Sequence, residues 1–156
     1  MNPPIIVTVS RLPSYAGPDL PKYQTPGSAG MDIYAAEDVW VKFGVVTLVA
    51  TGMRIAVPHG YEAQVRARSG LSAKHGIFVV NGPGTIDSDY RGEVKVILSC
   101  ARDGEPFRIS AGDRIAQLVF APVQRAFLSE VMDVMFDAAT PQSERGTGGM
   151  GSTGVK

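Results

Sequence analysis

The clearest pattern along the chain is a strict alternation of apolar and polar residues from Tyr61 to Arg68. A period of two is typical of a β-strand with one buried face and one solvated face, because successive side chains point to opposite sides of a strand. The pattern therefore predicts a strand here whose polar face carries Glu62, Gln64, Arg66 and Arg68.

Short apolar runs separated by turn residues predict the other strands. They are Ile5–Val9, Asp32–Ala35, Val39–Val41, Val45–Val49, Met53–Val57, Ile77–Val80, Glu93–Ser99, Phe107–Ile109, Ile115–Pro122 and Phe127–Val134. One short helix is predicted, with Ser69 as its cap, Leu71–Lys74 within it and Gly76 at its end. Many short strands at a spacing of roughly 8–12 residues predict an all-β fold, a jelly-roll-like sandwich or barrel.

Composition bounds the class of protein. The 156 residues, 44% of them apolar, suffice for one domain with a real core. No run approaches the roughly eighteen apolar residues of a membrane span, and the N-terminus does not resemble a secretory signal. Cys100 is the single cysteine, so no intrachain disulfide can form. These features predict a cytoplasmic protein.

Basic and acidic residues are equal in number. Fifteen basic and fifteen acidic residues give a formal net charge of zero. Broad electrostatic attraction to nucleic acid or to a membrane is therefore not expected, and the positive groups for an anionic ligand must be placed locally.

The last part of the chain has a different character. Alternation stops near Ala138, and the segment from Arg145 to Gly154 contains five glycines. We therefore expect a β domain over residues 1–137 and a flexible, glycine-rich arm over residues 138–156. The arm is either a disordered end, because it cannot bury enough apolar surface to order itself, or a wrap whose backbone N–H groups bind a polyphosphate.

Two internal segments carry candidate chemistry. In Arg68-Ser69-Gly70-Leu71 a helix begins directly after a strand. The N–H groups at the start of the helix favour binding of an anion; alternatively, Ser69 simply caps the helix. The turn-rich segment Asn81–Gly92 predicts a hairpin that gathers Asn81, Asp87 and Tyr90 around one pocket, or a surface hairpin with solvated acids.

Other polar residues also stand among apolar neighbours. Gln117 follows the tight turn Gly112-Asp113-Arg114 and is polar among apolar neighbours, as a functional residue or as a satisfied buried amide. Asp32 is either a partner for an arginine or part of a metal site. His59 and His75 lie near no cluster of acids or cysteines, so a zinc site is not predicted.

Five segments in this order resemble the five ordered motifs of the trimeric dUTPase family. They are Ala29–Ile33, Arg68–Leu71, Asn81–Gly92, Gly112–Gln117 and Arg145–Gly154, which together span most of the chain. The resemblance implies a homotrimer that shares its active sites between subunits and cleaves dUTP into dUMP and pyrophosphate with Mg²⁺. Such an enzyme keeps uracil out of DNA and supplies dUMP for dTMP synthesis.

The resemblance also implies roles for single residues. Asp87 matches the base that activates a water for attack on the α-phosphorus. Asn81 matches the residue that recognises the edge of uracil, and Tyr90 matches the aromatic residue that packs on the deoxyribose. Asp32 matches an acid that either acts on the metal through water or holds Arg68 in place. The other substrate contacts implied are Arg68, Ser69, Gly70, Gly84, Thr85, Ile86, Lys95, Gln117, Arg145, Gly146, Met150, Gly151 and Ser152.

This sequence departs from the family pattern at one position. The family tail usually carries a phenylalanine between its glycines, which stacks on uracil, and Met150 stands there in this chain. Two alternatives share the fold. One is a nucleotide-sensing binding module, and the other is a dCTP deaminase, whose catalytic glutamate would stand where this chain has Ile97. A structural β-trimer with a disordered tail would leave Arg68, Gln117 and Arg145 unexplained.

Overall fold

The computed structural model describes residues 4–141, 143 and 146–149. Ten strands and two short helices lie in this part of the chain. The strands are β1 (Thr8–Arg11), β2 (Met31–Tyr34), β3 (Val39–Val41), β4 (Thr47–Ala56), β5 (Tyr61–Arg66), β6 (Ile77–Val79), β7 (Gly84–Ile86), β8 (Glu93–Cys100), β9 (Phe107–Ile109) and β10 (Arg114–Pro122); the helices are α1 (Ser69–His75) and α2 (Asp133–Ala139).

The strands form two four-stranded sheets and one two-stranded sheet, and their pairs are antiparallel. The first sheet has the order β1-β4-β8-β6, the second has the order β2-β10-β5-β7, and β3 pairs with β9. Buried side chains of both four-stranded sheets belong to one hydrophobic cluster, for example Val49 and Val96 from the first and Val65 and Leu118 from the second. The fold is thus a β-sandwich, which confirms the predicted class.

The alternating strand is confirmed in β5. Ala63 and Val65 are buried, whereas Glu62, Gln64 and Arg66 are partly or fully exposed. The strand ends at Arg66, so Arg68 leaves the polar face to which the alternation assigned it. Arg68 instead becomes the residue immediately before α1.

The predicted N-cap of helix α1 is wrong. The N-cap residue is Arg68, no side chain caps the helix, and Ser69 is its first residue. At the other end the prediction is confirmed, because Gly76 adopts a left-handed conformation with φ of 70°. The guanidinium of Arg102 also donates to the carbonyls of Lys74 and Ala73, which satisfies acceptors in the last turn.

Several predicted strands differ in extent from those observed. The first lies at Thr8–Arg11 rather than Ile5–Val9. The predicted strands Val45–Val49 and Met53–Val57 are one strand, β4, whose register with β8 shifts between Ala50 and Arg54. Gly52 takes a positive φ of 66° at this irregularity, which a residue with a Cβ adopts only at a cost.

The predicted strand Phe127–Val134 is wrong. Residues 123–132 have no regular structure, and α2 begins at Asp133, so the chain has a second helix that the sequence did not indicate. The chain divides into two compact units, Met1–Gln124 and Arg125–Lys156. The buried core residues, from Ile33 to Leu118, all belong to the first unit. Neither of the described helices is long and apolar enough to cross a membrane.

Candidate active site

A pocket of about 310 Å³ opens beside the turn that joins β7 to β8. Five of its lining residues are ones that the sequence analysis selected: Thr85, Ile86, Asp87, Tyr90 and Lys95. The wall is completed by Leu48 of β4 and by Glu93, Val94 and Ile97 of β8. An exposed carboxylate, an aromatic ring and an ammonium group thus border one cavity with an apolar wall.

The strand pairing around this pocket corrects one expectation. β7 pairs with β5 in the second sheet, whereas β8 pairs with β4 and β6 in the first. The segment is therefore not a hairpin, because its two strands are not hydrogen-bonded to each other. It is a turn that crosses from one sheet to the other, and Asp87 and Tyr90 lie on that crossing.

Hydrogen bonds within the turn fix its shape. The Tyr90 N–H donates to the Asp87 carbonyl at 3.2 Å, and the Tyr90 hydroxyl donates to the Glu93 carbonyl at 2.9 Å. Arg91 Nη1 donates to the carbonyls of Ser88 and Tyr90, at 2.7 Å each. The backbone between Asp87 and Glu93 is thereby tied at several points.

Asn81 and Gly84 lie apart from the lining of this pocket. The side-chain amide of Asn81 faces Gly84, because a Cβ at Gly84 would come within 3.1 Å of Asn81 Nδ2. Gly84 itself is buried in β7, opposite Val65 of β5. The structure therefore places Asn81 at the start of β7 and Asp87 at its end.

A second cluster of predicted residues lies on β2, β10 and the start of α1. Asp32 Oδ1 accepts a hydrogen bond from Arg68 Nε at 2.9 Å, and Asp32 Oδ2 accepts one from Arg114 Nη1 at 3.3 Å. Arg68 Nη1 also donates to the Arg114 carbonyl at 2.9 Å. Of the two interpretations of Asp32, the structure shows the partner of an arginine, and it adds Arg114 as a second partner.

Gln117 stands in the centre of the same region. It pairs with Asp32 on one side and Arg66 on the other, because β10 lies between β2 and β5. Its Nε2 donates to the Ala67 carbonyl at 3.0 Å, and its Oε1 lies against Gly30, where a Cβ would collide with it. Gln117 is half-buried, so its amide is held in place by its neighbours.

Ser69 and Gly70 are exposed at the start of α1, next to this cluster. Open space surrounds Gly70 on the side where a side chain would stand. With two guanidinium groups around one carboxylate, the region carries a net positive charge that favours an anion. Within the described ranges, no group of three or more His, Cys, Asp or Glu side chains stands together to hold a metal ion.

The turn before β10 is held by Asp38. Its Oδ1 accepts from the Ala111 N–H at 2.8 Å, and its Oδ2 accepts from Arg108 Nη2 at 2.9 Å. The Ala111 hydrogen bond, followed by that of Arg108, lowers the pKa of Asp38 below its ordinary value of 3.8. Gly112 follows with a positive φ of 90°, which confirms the predicted tight turn.

The structure describes part of the predicted tail site. Arg145, Met150, Gly151 and Ser152 lie outside the described residues. Gly146 is described; it has a positive φ of 51°, and its N–H donates to the Ser143 carbonyl at 3.1 Å. The expected arm from residue 138 onward lies within the second compact unit.

Several residues of the two clusters were not predicted from the sequence. Arg114 lies in the segment Gly112–Gln117, but no local feature of the sequence marks it as a partner for Asp32. Leu48 lines the pocket because it is opposite Ile97 in the first sheet, a pairing that no local pattern indicates.

A separate cavity of about 360 Å³ is lined almost wholly by apolar residues. Ile5, Val9, Leu20, Met31 and Phe120 are among them. Apart from the hydroxyl of Tyr23, its described lining carries no ionisable side chain, so we place the candidate active site at the two polar clusters instead.

Known proteins similar to this chain share its length. A family model described as dUTPase matches residues 18–154. The deoxyuridine 5'-triphosphate nucleotidohydrolase of Zymomonas mobilis is 49% identical over 151 residues, 97% of this chain and 99% of the relative. The enzyme of the same name from Syntrophotalea carbinolica is 51% identical over 152 residues, 96% of this chain and 97% of the relative.

Solved structures agree with this grouping. The dUTPase of Staphylococcus bacteriophage 80alpha, in a point mutant with dUpNHpp, superposes with a TM-score of 0.80 at 26% identity, over 96% of this chain and 99% of that one. A point mutant of the dUTPase of phage phi11 of S. aureus, which was solved with a structural Mg(II) ion, shares the fold with a TM-score of 0.72 at 22% identity over 83% of this chain and 98% of that one. The chain belongs to the dUTPase family.

Proposed function

We propose that the chain hydrolyses dUTP to dUMP and pyrophosphate, with Asp87 as the base that activates the attacking water. The observation that carries this proposal is the pocket at the β7–β8 crossing, where Asp87, Tyr90 and Lys95 border one cavity. It is joined by membership of the dUTPase family over residues 18–154.

Asp87 suits the role of a general base. Its side chain is exposed at the pocket, and nothing in the turn covers it. A carboxylate there accepts the proton of a water molecule as that water attacks the α-phosphorus. A base of this kind contributes about 10²- to 10⁴-fold in rate.

The deoxynucleoside would lie in the same pocket. Backbone groups of Thr85 and Ile86 are suited to read the edge of uracil, and we assign the same role to the amide of Asn81, which stands before β7 and outside the lining of this pocket. A ring that presents a donor where uracil presents an acceptor would leave polar groups unpaired, which excludes cytosine. Tyr90 would pack on the deoxyribose and leave no room for a 2′-hydroxyl.

The triphosphate would be held by the second cluster. Arg68, Ser69, Gly70 and Gln117 offer guanidinium, hydroxyl, backbone and amide donors around a positively charged surface. We assign Arg145 of the tail to the γ-phosphate, with Gly146, Gly151 and Ser152 beside it and Met150 over the base. Charge stabilisation and positioning by these groups supply most of the remaining acceleration.

The two clusters point to a site that is shared between copies of the chain. Ile86, which precedes Asp87, is opposite Ala63 of β5, whereas Gln117 is opposite Arg66. Ile86 and Gln117 are thus separated by three residues along the strand direction and by two strand spacings across the sheet, which is about 10 Å in each direction. Ser69 lies beyond the far end of β5, so Asp87 and Ser69 of one chain cannot act on the same phosphate group.

Exposed apolar surface supports the same arrangement, a homotrimer. Leu48, Val80 and Ile97 form a row across the first sheet next to the pocket, and the first two are about half exposed. Phe127 and Leu128 are almost completely exposed in one chain. Surfaces of this kind are typically covered by another subunit, and the row of Leu48, Val80 and Ile97 lies next to a site that needs one.

Magnesium fits the chemistry as an ion carried by the triphosphate. Mg²⁺ keeps several waters and takes phosphate oxygens readily, so it needs no dedicated protein cage. Asp32 is the acid of the phosphate cluster, and both of its oxygens already accept hydrogen bonds from arginines. It would therefore hold the ion through water. When bound, the ion neutralises charge on the phosphates.

A dCTP deaminase is not favoured by the pocket. The position where that family carries its catalytic glutamate is Ile97, whose side chain adds to the apolar wall. A pure binding module is not favoured either, because Asp87 would repel a triphosphate that it did not help to cleave.

The test is incubation with dUTP, dCTP, dTTP and UTP in the presence of Mg²⁺, followed by chromatography of the products. We expect dUMP and pyrophosphate from dUTP alone, and in H₂¹⁸O we expect the label in dUMP. Formation of dUTP from dCTP would establish a deaminase, and label in pyrophosphate would place the attack at the wrong phosphorus.

A further inference from the structure

Tyr90 folds back over its own chain. Its hydroxyl donates to the carbonyl of Glu93, three residues later, at 2.9 Å. Between these two residues the ring passes directly over Gly92. A Cβ placed on Gly92 would lie 2.6 Å from Tyr90 Cζ and 3.0 Å from Cε2, and closer still to the hydroxyl oxygen.

The backbone at Gly92 does not itself require glycine. Positive φ angles occur at other glycines of the described chain, such as Gly52 and Gly112, but not at Gly92. An alanine could therefore adopt the same backbone conformation without strain. The feature that an alanine would disturb is the contact with the ring of Tyr90.

The turn cannot relieve this contact by moving its backbone freely. Arg91 Nη1 binds the carbonyls of Ser88 and Tyr90, and Arg54 Nε of β4 donates to the Arg91 carbonyl at 2.7 Å. Carbon atoms in contact normally lie about 3.5–4.0 Å apart. A methyl group on Gly92 would therefore push the ring of Tyr90 by about 1 Å.

We infer that Gly92 determines sugar specificity, because its missing side chain, together with the Glu93 carbonyl, fixes where the ring of Tyr90 stands in the pocket. This inference rests on the proposed function, in which that ring forms the wall against the deoxyribose. Gly92 touches no substrate in this scheme and acts through Tyr90, so it is a positioning residue.

The experiment compares Gly92→Ala with the unsubstituted protein, using dUTP and UTP as substrates and their α,β-imido analogues as ligands. Gly27→Ala is the matched control, because a Cβ there meets no atom within 4 Å and its φ is not positive. The measurements are kcat/KM for both nucleotides, Kd for both analogues, and Tm.

We expect Gly92→Ala to lower the preference for the deoxy form by about tenfold, in kcat/KM and in Kd alike. Gly27→Ala should leave the preference unchanged. Tyr90→Phe keeps the ring but removes its hydrogen bond to Glu93, so it should lower the preference by a smaller factor. In the Tyr90→Phe background the effect of Gly92→Ala should shrink, because both changes alter the position of the same ring.

Two results would overturn the inference. One is an unchanged preference in Gly92→Ala at a Tm equal to that of the unsubstituted protein. The other applies if Gly92→Ala does not fold. The test is then made with Tyr90→Phe, and an unchanged preference for the deoxy form in that variant would contradict the inference. Absence of dUTP hydrolysis in the unsubstituted protein would remove the proposed function instead, while the ratio of the two Kd values still tests the ring.

Discussion

Asp32 and Arg68 are joined by a hydrogen-bonded ion pair of 2.9 Å although 36 residues separate them in sequence. Both side chains are largely shielded from solvent, with relative exposures of 17% and 26%. The pair connects β2 to the residue that precedes α1, where Ser69 and Gly70 begin the helix. Asp32 thus sets the position of a guanidinium at the proposed phosphate site.

We expect Asp32→Ala to lower both stability and activity. The substitution leaves two arginines without their carboxylate, and loss of such a partner costs about 1–3 kcal/mol. KM for dUTP should rise because Arg68 no longer has a fixed direction. Thermal unfolding and steady-state kinetics measure the two effects.

The matched control for that variant is Asp19→Asn. Asp19 pairs with Lys22 at 3.4 Å, but both side chains are about two-thirds exposed. Exposed pairs contribute little, so Tm and KM should stay near those of the unsubstituted protein. If Asp32→Ala behaves like Asp19→Asn, the ion pair does not organise the site.

The sequence predicted best where one local pattern determined the structure. Alternation in β5 identified a strand with Ala63 and Val65 inside, because the period of a half-buried strand can be read from neighbours. Prediction from the sequence failed where contacts between distant parts of the chain determine the structure. Phe127–Val134 has strand-like residues, yet it forms no strand, because residues 123–132 are irregular and α2 begins at Asp133.

In the candidate site, too, local features were predicted from the sequence and pairings between distant residues were not. Turn chemistry identified the segment that carries Asp87 and Tyr90, but not that its flanking strands belong to different sheets. Asp32 was interpreted as either an arginine partner or a metal ligand, because its partners Arg68 and Arg114 come from later parts of the chain. Pairing across 36 or 82 residues is set by topology, which local periodicity does not encode.

Asp38 should give the protein a pH-dependent contribution to stability. Its pKa is lowered in the folded state by the Ala111 N–H and then by Arg108. The ionised form therefore stabilises the fold above the ordinary value of 3.8, and this contribution is lost as the pH falls through the lowered pKa. The Tm difference between the protein and Asp38→Asn should be largest near neutral pH and shrink below pH 3.8. A constant difference would contradict the assignment.

Deletion of the residues after Ala139 should remove most dUTP hydrolysis and leave the β-sandwich folded. The buried core lies within residues 33–118, well inside the first compact unit. The deleted part includes Arg145, which we assign to the γ-phosphate. Circular dichroism and kcat/KM separate the two effects, and full activity in the shortened protein would refute the role of the tail.

Met150→Phe should raise kcat/KM for dUTP several-fold. Stacking of an aromatic ring on a base contributes roughly 1–3 kcal/mol, and methionine offers a less defined surface. The preference for uracil over cytosine should not change, because the groups that read the base lie on β7. An unchanged or lower kcat/KM would remove this account of the tail.

The central claim is that Asp87 activates the attacking water, and single-turnover hydrolysis of dUTP by Asp87→Asn tests it most directly. Asp89→Asn is the control, since Asp89 is exposed in the same turn but does not line the pocket. We expect Asp87→Asn to slow hydrolysis by about 10²- to 10⁴-fold while Kd for the imido analogue of dUTP stays close to normal, and Asp89→Asn to hydrolyse at the unsubstituted rate. Near-normal hydrolysis by Asp87→Asn would contradict the claim.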